Sequence, residues 1–220
     1  MANVLITGAN RGIGLALTQQ LIQRGDKVWA ACRHSSPELD KSGATVIEGV
    51  NMADPLTYDK IKTLFSKHKI DVLINNAGVL GAETLDDMDA NRIMYQFQVN
   101  SLAPVLLTQY LLPVLAAQAK VAMITSRMGS MSDNASGGYY GYRMSKAALN
   151  AGSVSLAKDL KQQGIAVAIL HPGFVQTDMV GGAGDISAEV AATQLIGRID
   201  ELNLDNSGQF LHANGESLPW

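Results

Sequence analysis

The chain has 220 residues, of which 47% are hydrophobic and 17% charged, and its net charge is −3. This length and composition favour a single domain with a sizeable core, which we expect to span residues 1–220. The slightly acidic balance excludes the basic surface that is typical of nucleic-acid-binding proteins. The single cysteine, Cys32, excludes an internal disulfide framework and favours a reducing compartment.

No apolar run reaches membrane-spanning length. The longest one, residues 102–117, is interrupted by Pro104, Gln109 and Pro113. An apolar segment begins already at Val4, which leaves no room for a signal peptide. The sequence therefore predicts a cytoplasmic protein with neither nucleic acid nor membrane as a partner.

Short apolar runs alternate with amphipathic patterns along the chain. Strands are predicted over residues 4–6, 27–33, 45–50, 71–75, 121–125, 165–170 and 209–212. Helices are predicted over residues 12–23, 55–67, 87–99, 101–117, 139–162 and 187–199, with Asp54 as the N-cap of the second. This alternation predicts an α/β protein with a single-domain Rossmann fold, a doubly wound parallel sheet of about seven strands covered by helices on both faces.

Three glycines, Gly8, Gly12 and Gly14, lie between the first predicted strand and the first predicted helix. A helix N-terminus offers free N–H groups and a partial positive charge to phosphate groups. Glycines also mark ordinary tight turns. Because a strand precedes this turn and a helix follows it, we favour a site for a dinucleotide pyrophosphate.

Tyr142 and Lys146 are four residues apart in the helix predicted over residues 139–162, so they share one helical face. A nearby ammonium group favours the phenolate and lowers the pKa of a tyrosine, which suits proton transfer near neutral pH. Neither Tyr139 nor Tyr140 has a lysine four residues later. We interpret those two tyrosines as packing residues.

The end of the second predicted strand bears on the choice of cofactor. In this fold an acidic residue near that end hydrogen-bonds the adenosine ribose of NAD. Here Cys32 occupies about that place, Arg33 follows it, and Arg11 lies in the glycine turn. Two guanidinium groups near one ribose suit a 2′-phosphate, so the sequence favours NADP(H) over NAD(H). The alternative is that both arginines are solvated surface charges.

Five motifs together resemble the short-chain dehydrogenase/reductase family over essentially the whole chain. They are Thr7-Gly-x-x-x-Gly-x-Gly14, Asn75-Asn-Ala-Gly78, Asn100, Tyr142-x-x-x-Lys146 and Pro172-Gly-Phe-Val-Gln-Thr177. Residues 210–220 are similar to the C-factor-like and carbonyl-reductase-like branch of that family. The resemblance implies an NADP-dependent oxidoreductase that reduces a ketone or aldehyde to an alcohol, or catalyses the reverse, by hydride transfer. The implied partner is a small carbonyl or alcohol substrate.

The resemblance also assigns roles to single residues. Tyr142 is the expected proton donor, Lys146 the ligand of the nicotinamide ribose, and Asn100 the holder of a water that links Lys146 to solvent. Ser126 is expected to hold the carbonyl oxygen, although it lies sixteen positions before Tyr142, somewhat more than usual in the family. Ser130 is the fallback, and Ser132 and Ser136 are further candidates. No metal ligands are expected, because the four histidines are dispersed.

The cofactor-binding residues implied by the resemblance come from six stretches of the chain. At Asn51 and Met52 the family usually has Asp-Val, so the adenine contact there would carry no charge. The whole predicted set is Gly8, Asn10, Arg11, Gly12, Ile13, Gly14, Arg33, Asn51, Met52, Asn76, Ala77, Gly78, Tyr142, Lys146, Pro172, Gly173, Val175 and Thr177.

Two other classes of function remain open at this point. One is a dinucleotide-binding regulatory or signalling protein with little or no turnover, and the other is a structural interaction protein. The helices predicted over residues 101–117 and 139–162 both carry more apolar surface than one sheet face needs. The family commonly pairs these helices across a two-fold axis, so a homodimer is expected, or a homotetramer if a second surface joins. The alternative is that both apolar stripes are buried within one subunit.

Overall fold

One parallel sheet of seven strands, in the order β3-β2-β1-β4-β5-β6-β7, forms the centre of the molecule. The computed structural model describes all 220 residues. The strands are β1 (Asn3–Thr7), β2 (Lys27–Ala31), β3 (Thr45–Ile47), β4 (Ile70–Asn75), β5 (Leu115–Ile124), β6 (Ala166–His171) and β7 (Phe210–His212). The α-helices are α1 (Gly12–Gln23), α2 (Pro37–Asp40), α3 (Asp59–Leu64), α4 (Ala90–Phe97), α5 (Ala103–Leu111), α6 (Tyr140–Lys161) and α7 (Ala188–Glu201).

Helices cover both faces of this sheet, which confirms the predicted Rossmann fold. Alternate residues of β1 point to opposite sides, and Val4 joins a cluster of 22 buried residues that includes Leu17 of α1 and Leu195 of α7. Leu5 joins the other cluster of 25 buried residues, together with Leu107 of α5. Full burial of such a side chain stabilises the fold by roughly 1.5–3 kcal/mol. None of the helices is both long and apolar enough to cross a membrane.

The bounds of α1 agree with the prediction, but the segment from Gln98 to Ile124 differs from it. A π-helix over Gln98–Leu102 precedes α5, which ends at Leu111 instead of continuing to residue 117. Pro113 has no N–H group and cannot continue a helix, and a 3₁₀-helix spans Leu112–Val114. The chain then enters β5 at Leu115, which pairs with Ile70 of β4, six residues earlier than the predicted start at 121.

Several other elements are shorter than predicted, among them the helix predicted over residues 87–99, which spans only Ala90–Phe97 as α4. β2 ends at Ala31 and β3 ends at Ile47, because the chain beyond them makes only isolated backbone hydrogen bonds. The helix predicted over residues 55–67 consists of a 3₁₀-helix, Pro55–Tyr58, followed by α3. Its predicted N-cap is confirmed, since the carboxylate of Asp54 accepts a hydrogen bond from the Leu56 N–H at 3.1 Å.

Candidate active site

The carboxyl ends of the central strands open into one cleft of ≈ 850 Å³. The strand order reverses between β1 and β4, and parallel α/β sheets bind ligands at such a switch point. Every predicted cofactor-binding residue lines this cleft, and so does Ser126. Asn100 does not line it, and neither do the candidate serines Ser130 and Ser132.

The glycine turn has no space for side chains. Gly8 adopts a left-handed backbone with φ of 66°, and a Cβ atom there would lie 2.8 Å from the Cα of Ala77. A Cβ atom on Gly14 would lie 2.6 Å from Nδ2 of Asn76 and closer still to the carbonyl oxygen of Gly8. The turn therefore requires glycine at both positions, and it leaves a concave backbone surface towards the cleft.

The start of α1 suits an anion. No side chain caps this helix, and no acidic residue lies in its first turn. The backbone N–H groups of the first turn have no partners within the helix, and the helix dipole adds a partial positive charge. A dinucleotide pyrophosphate fits these donors, which makes the residues of the turn suitable for the expected cofactor.

The turn is tied to the end of β4 by side-chain hydrogen bonds. The hydroxyl oxygen of Thr7 accepts from the N–H groups of Asn76 and Ala77, each at 3.1 Å. The amide of Asn76 donates to the carbonyls of Thr7 and Gly8 at 3.1 and 3.2 Å. Thr7 is thus a positioning residue that the sequence analysis missed as a site residue, although it opens the glycine motif.

Two arginines lie where the adenosine ribose of a dinucleotide is expected. Arg33 follows β2, is exposed, and donates to the hydroxyl of Tyr95 at 3.3 Å without forming an ion pair. Arg11 contacts Asp178 at 3.4 Å, and both side chains are largely exposed. Next to Arg33, Cys32 is buried, and burial raises the pKa of its thiol to about 11. Both guanidinium groups therefore have donors free for a phosphate.

Tyr142 and Lys146 both reach the cleft from α6. Lys146 is only 4% exposed, and its ammonium nitrogen lies 5.8 Å from the centre of the Tyr142 ring. The ammonium donates to the carbonyl oxygen of Ile124 at 2.9 Å, and burial lowers the pKa of Lys146 to about 8. Burial also raises the pKa of Tyr142, while the nearby Ser126 hydroxyl acts in the opposite direction. The lowered tyrosine pKa expected from Lys146 is therefore not found here.

The candidate serines occupy different environments. Ser126 lies two residues after the end of β5 and lines the same cleft as Tyr142, and its hydroxyl accepts from the Met128 N–H at 3.2 Å. The Ser130 hydroxyl lies outside the cleft lining, where it accepts from the Asp133 N–H at 3.1 Å and contacts Ser132. Of the four candidates, the structure places Ser126 next to the tyrosine.

Asn100 lies in the π-helix between α4 and α5, with all of its amide atoms engaged. Its Oδ1 accepts from the Val79 N–H at 2.8 Å, and its Nδ2 donates to the Val79 carbonyl at 2.8 Å and to the Ser145 hydroxyl at 3.0 Å. The side chain thus ties the segment after β4 to α6. The predicted water-holding role would fall to other atoms of this residue, and it stays a prediction.

Two histidines that seemed dispersed in the sequence are neighbours. His171 and His212 pair in register at the ends of β6 and β7, and their ring centres are 5.0 Å apart. Burial lowers the pKa of His171 to about 3, and the neighbouring His212, Arg127 and Lys146 side chains act in the same direction. His171 is therefore a neutral part of the cleft wall, a residue that no pattern within one segment could reveal.

The fold and the cleft define a nucleotide-binding oxidoreductase architecture. A family model described as short chain dehydrogenase matches residues 2–186, and the chain belongs to this family. It is 37% identical to 1-hydroxy-2-glutathionyl-2-methyl-3-butene dehydrogenase of Rhodococcus sp. (strain AD45), covering 100% of both chains. It is 44% identical to C-signal of Myxococcus xanthus over 69% of this chain and 93% of that one. The structure of NADPH-bound carbonyl reductase from chicken fatty liver superposes with a TM-score of 0.91 at 29% identity, covering 100% of this chain and 99% of that one.

Proposed function

We propose that the protein is an NADPH-dependent oxidoreductase that reduces a ketone or aldehyde to an alcohol, or catalyses the reverse reaction. The observation that carries this proposal is the location of Tyr142, Lys146 and Ser126 in the cleft that also contains the glycine turn. The similar carbonyl reductase with bound NADPH supports it. Residues 1–220 then serve as one domain that contains both the cofactor site and the reaction site.

Different residues of the chain have different roles in the proposed reaction. NADPH, when bound, supplies the hydride that reduces the carbonyl carbon. The free N–H groups at the start of α1 would bind its pyrophosphate, and Lys146 would donate hydrogen bonds to the nicotinamide ribose. The Ser126 hydroxyl donates to the substrate carbonyl oxygen and orients it. The Tyr142 phenol donates its proton to that oxygen, which has become a strong base after reduction.

The partial burial of Tyr142 suits the reductive direction. Because burial raises the pKa of this phenol, Tyr142 stays protonated at neutral pH and is ready to donate. Lys146 is buried beside it with a pKa of about 8, so it remains largely an ammonium at neutral pH. The ammonium then stabilises the phenolate that proton donation leaves behind.

Arg33 and Arg11 support NADP(H) as the cofactor. A 2′-phosphate is an anion that accepts several hydrogen bonds, and a guanidinium group can donate two parallel hydrogen bonds to such an anion. Arg33 has no carboxylate to release on binding, and the exposed contact of Arg11 with Asp178 is of a kind that contributes little stability. No acidic residue occupies the end of β2, where NAD-binding chains hydrogen-bond the ribose.

A dinucleotide-binding regulatory protein without turnover is the alternative. Such a protein needs the glycine turn but no proton donor. Lys146 could still hold the nicotinamide ribose in such a protein, but Tyr142 and Ser126, which line the same cleft, would have no reaction to serve. We therefore favour the enzyme.

We also propose that the protein forms a homodimer through α5 and α6. Part of the expected apolar stripe serves the subunit itself, since Leu111 is buried and Gly152 lies against Val105 of α5. The other part is open to solvent: Leu102, which directly precedes α5, is 45% exposed, and Ala151 of α6 is also exposed. A second copy related by a two-fold axis would cover these side chains, and a tetramer would need a further surface.

The test of the enzymatic proposal follows NADPH consumption with a panel of ketones, aldehydes, quinones and diketones. In Tyr142→Phe we expect turnover to fall about 100-fold or more, because only the proton donor is lost. NADPH affinity should stay near the wild-type value. Tyr140→Phe is the matched control, since Tyr140 does not line the cleft, and it should keep its activity. Consumption with no compound of the panel, or wild-type turnover in Tyr142→Phe, would refute the proposal.

A further inference from the structure

The helix that carries Tyr142 and Lys146 begins without a cap of its own. Tyr139 occupies the N-cap position of α6 in a left-handed backbone conformation with φ of 53°, and its side chain makes no capping hydrogen bond. A non-glycine residue keeps such a conformation only where its surroundings hold it in place. The first turn of α6 therefore depends on contacts from outside the helix.

Glu83, in the segment after β4, supplies these contacts. It is fully buried, and its main-chain carbonyl accepts from the Tyr139 N–H at 2.8 Å. Its carboxylate oxygen Oε2 accepts from the Gly141 N–H at 3.2 Å, one residue before Tyr142. A single residue thus holds the backbone on both sides of the point where α6 begins, and its negative charge suits a helix N-terminus.

The carboxylate is itself fixed by side chains of α4. Its other oxygen, Oε1, accepts from Gln96 Nε2 at 2.7 Å and from Arg92 Nε at 2.8 Å. Gln96 is 1% exposed and also accepts from the Gly81 N–H at 2.7 Å. Buried polar networks that are fully paired in this way are rigid. The helix leaves room for the network, because a Cβ atom on Gly141 would lie 3.0 Å from Glu83 Oε2 and closer still to Gln96 Nε2.

We propose that Glu83 is a positioning residue for the proton donor: it holds the first turn of α6 against α4 and so sets where the Tyr142 phenol enters the cleft. The inference rests on the proposed function for its kinetic consequence. Glu83 does not line the cleft and acts only through the backbone next to Tyr142. A displacement of about 1 Å in a reacting group costs on the order of 100-fold in rate.

The first test is Glu83→Gln, which keeps the size of the side chain but replaces one acceptor oxygen by a donor. Either the Gly141 N–H or the Gln96 amide then faces another donor and loses its hydrogen bond. We expect kcat to fall about tenfold or more while the Kd for NADPH stays within about twofold, because the glycine turn is untouched. Amide hydrogen exchange over residues 139–146 should become faster.

Gly141→Ala tests the same contact from the helix side. Alanine has the higher helix propensity, so a purely local effect would stabilise α6. The added methyl group instead collides with Gln96 and Glu83. We therefore expect a lower kcat with an unchanged Kd for NADPH, as in Glu83→Gln.

Ser187→Ala is the matched control for the loss of a helix cap. The Ser187 hydroxyl accepts from the Val190 N–H at 3.3 Å at the start of α7 and does not line the cleft. This variant should lower the melting temperature without changing kcat or the exchange of residues 139–146. The proposal is overturned if exchange there is unchanged in Glu83→Gln, or if kcat falls no further than in the control. Amide hydrogen exchange can be measured without any turnover. If the wild type consumes no NADPH, the proposed function is refuted, and the exchange of residues 139–146 still decides whether Glu83 holds the first turn of α6.

Discussion

Replacing Gly14 with alanine separates the glycine turn's role in cofactor binding from its effect on the helix. Gly14 lies in the first turn of α1 outside the left-handed region, so alanine brings no backbone strain. By helix propensity alone, alanine would stabilise α1 by about 1 kcal/mol. The added carbon would, however, lie 2.6 Å from Asn76 Nδ2, 2.9 Å from the carbonyl carbon of Gly8 and closer still to the Gly8 oxygen.

The overlap should outweigh the gain in propensity. Non-bonded carbon atoms prefer separations of about 3.5–4 Å, so the turn must move by roughly half an ångström or more. The Gly8 atoms belong to the backbone and cannot rotate away, and overpacking of this kind costs about 1–3 kcal/mol. We expect a net loss of up to about 2 kcal/mol in the free energy of unfolding. NADPH affinity should fall about tenfold or more, which corresponds to ~1.4 kcal/mol, because the phosphate-binding N–H groups move with the turn.

Gly197→Ala is the matched control. Gly197 also lies within a helix, α7, but a Cβ atom there would have no neighbour within 4 Å. The free energy of unfolding of this variant should rise by about 1 kcal/mol, which raises the melting temperature by about 2–4 °C in a chain of this size. Its affinity for NADPH should equal that of the wild type. Thermal unfolding and fluorescence titration with NADPH measure both effects. The reasoning is wrong if Gly14→Ala is stabilised like Gly197→Ala or binds NADPH as tightly as the wild type.

Three further predictions concern the cofactor, the buried ammonium and self-association. Arg33→Asp should narrow or reverse the preference for NADPH over NADH, because the new carboxylate repels a 2′-phosphate; equal wild-type Kd values for the two cofactors would contradict this. Burial lowers the pKa of Lys146 from 10.5 to about 8, so the penalty of the buried charge is present below pH 8 and disappears as the pH rises towards 10.5. Between pH 7 and pH 10.5, the unfolding free energy of the wild type should therefore rise by about 3 kcal/mol relative to that of Lys146→Met. If the difference between the two proteins does not change with pH, the lowered pKa of Lys146 is refuted. Sedimentation at tens of micromolar protein should give a mass well above that of one chain, and a persistent mass near 23.4 kDa would exclude the dimer.

Signals that lie within one segment could be read directly from the chain. The start and end of α1 follow from a glycine turn and an amphipathic pattern, and the structure confirms both. The spacing of Tyr142 and Lys146 places them on one face of α6 without reference to any other element. The order of strands and helices is likewise enough to predict a doubly wound parallel sheet.

Features that depend on pairing between distant segments were predicted poorly. Residues 112–120 contain alanine, leucine and valine in a pattern compatible with a helix, yet β5 begins at Leu115 because Ile70 of β4 pairs with it. His171 and His212 seem unrelated in the sequence and become neighbours because β6 pairs with β7. From the sequence alone, Glu83 looks like a solvated charged residue in a loop. It is buried only because α4 packs against α6.

The sequence by itself determined the class of fold, the glycine turn at the start of α1 and the tyrosine–lysine pair. Each of these is encoded by short-range sterics or by the 3.6-residue helical period, which neighbouring residues specify. Only the tertiary structure decided that Ser126 rather than Ser130 lies beside Tyr142, that Asn100 is engaged with Val79, and that a buried carboxylate holds the first turn of α6. Those outcomes depend on which surfaces lose water when separate elements pack together, and the cost of burying an unpaired polar group selects the partners.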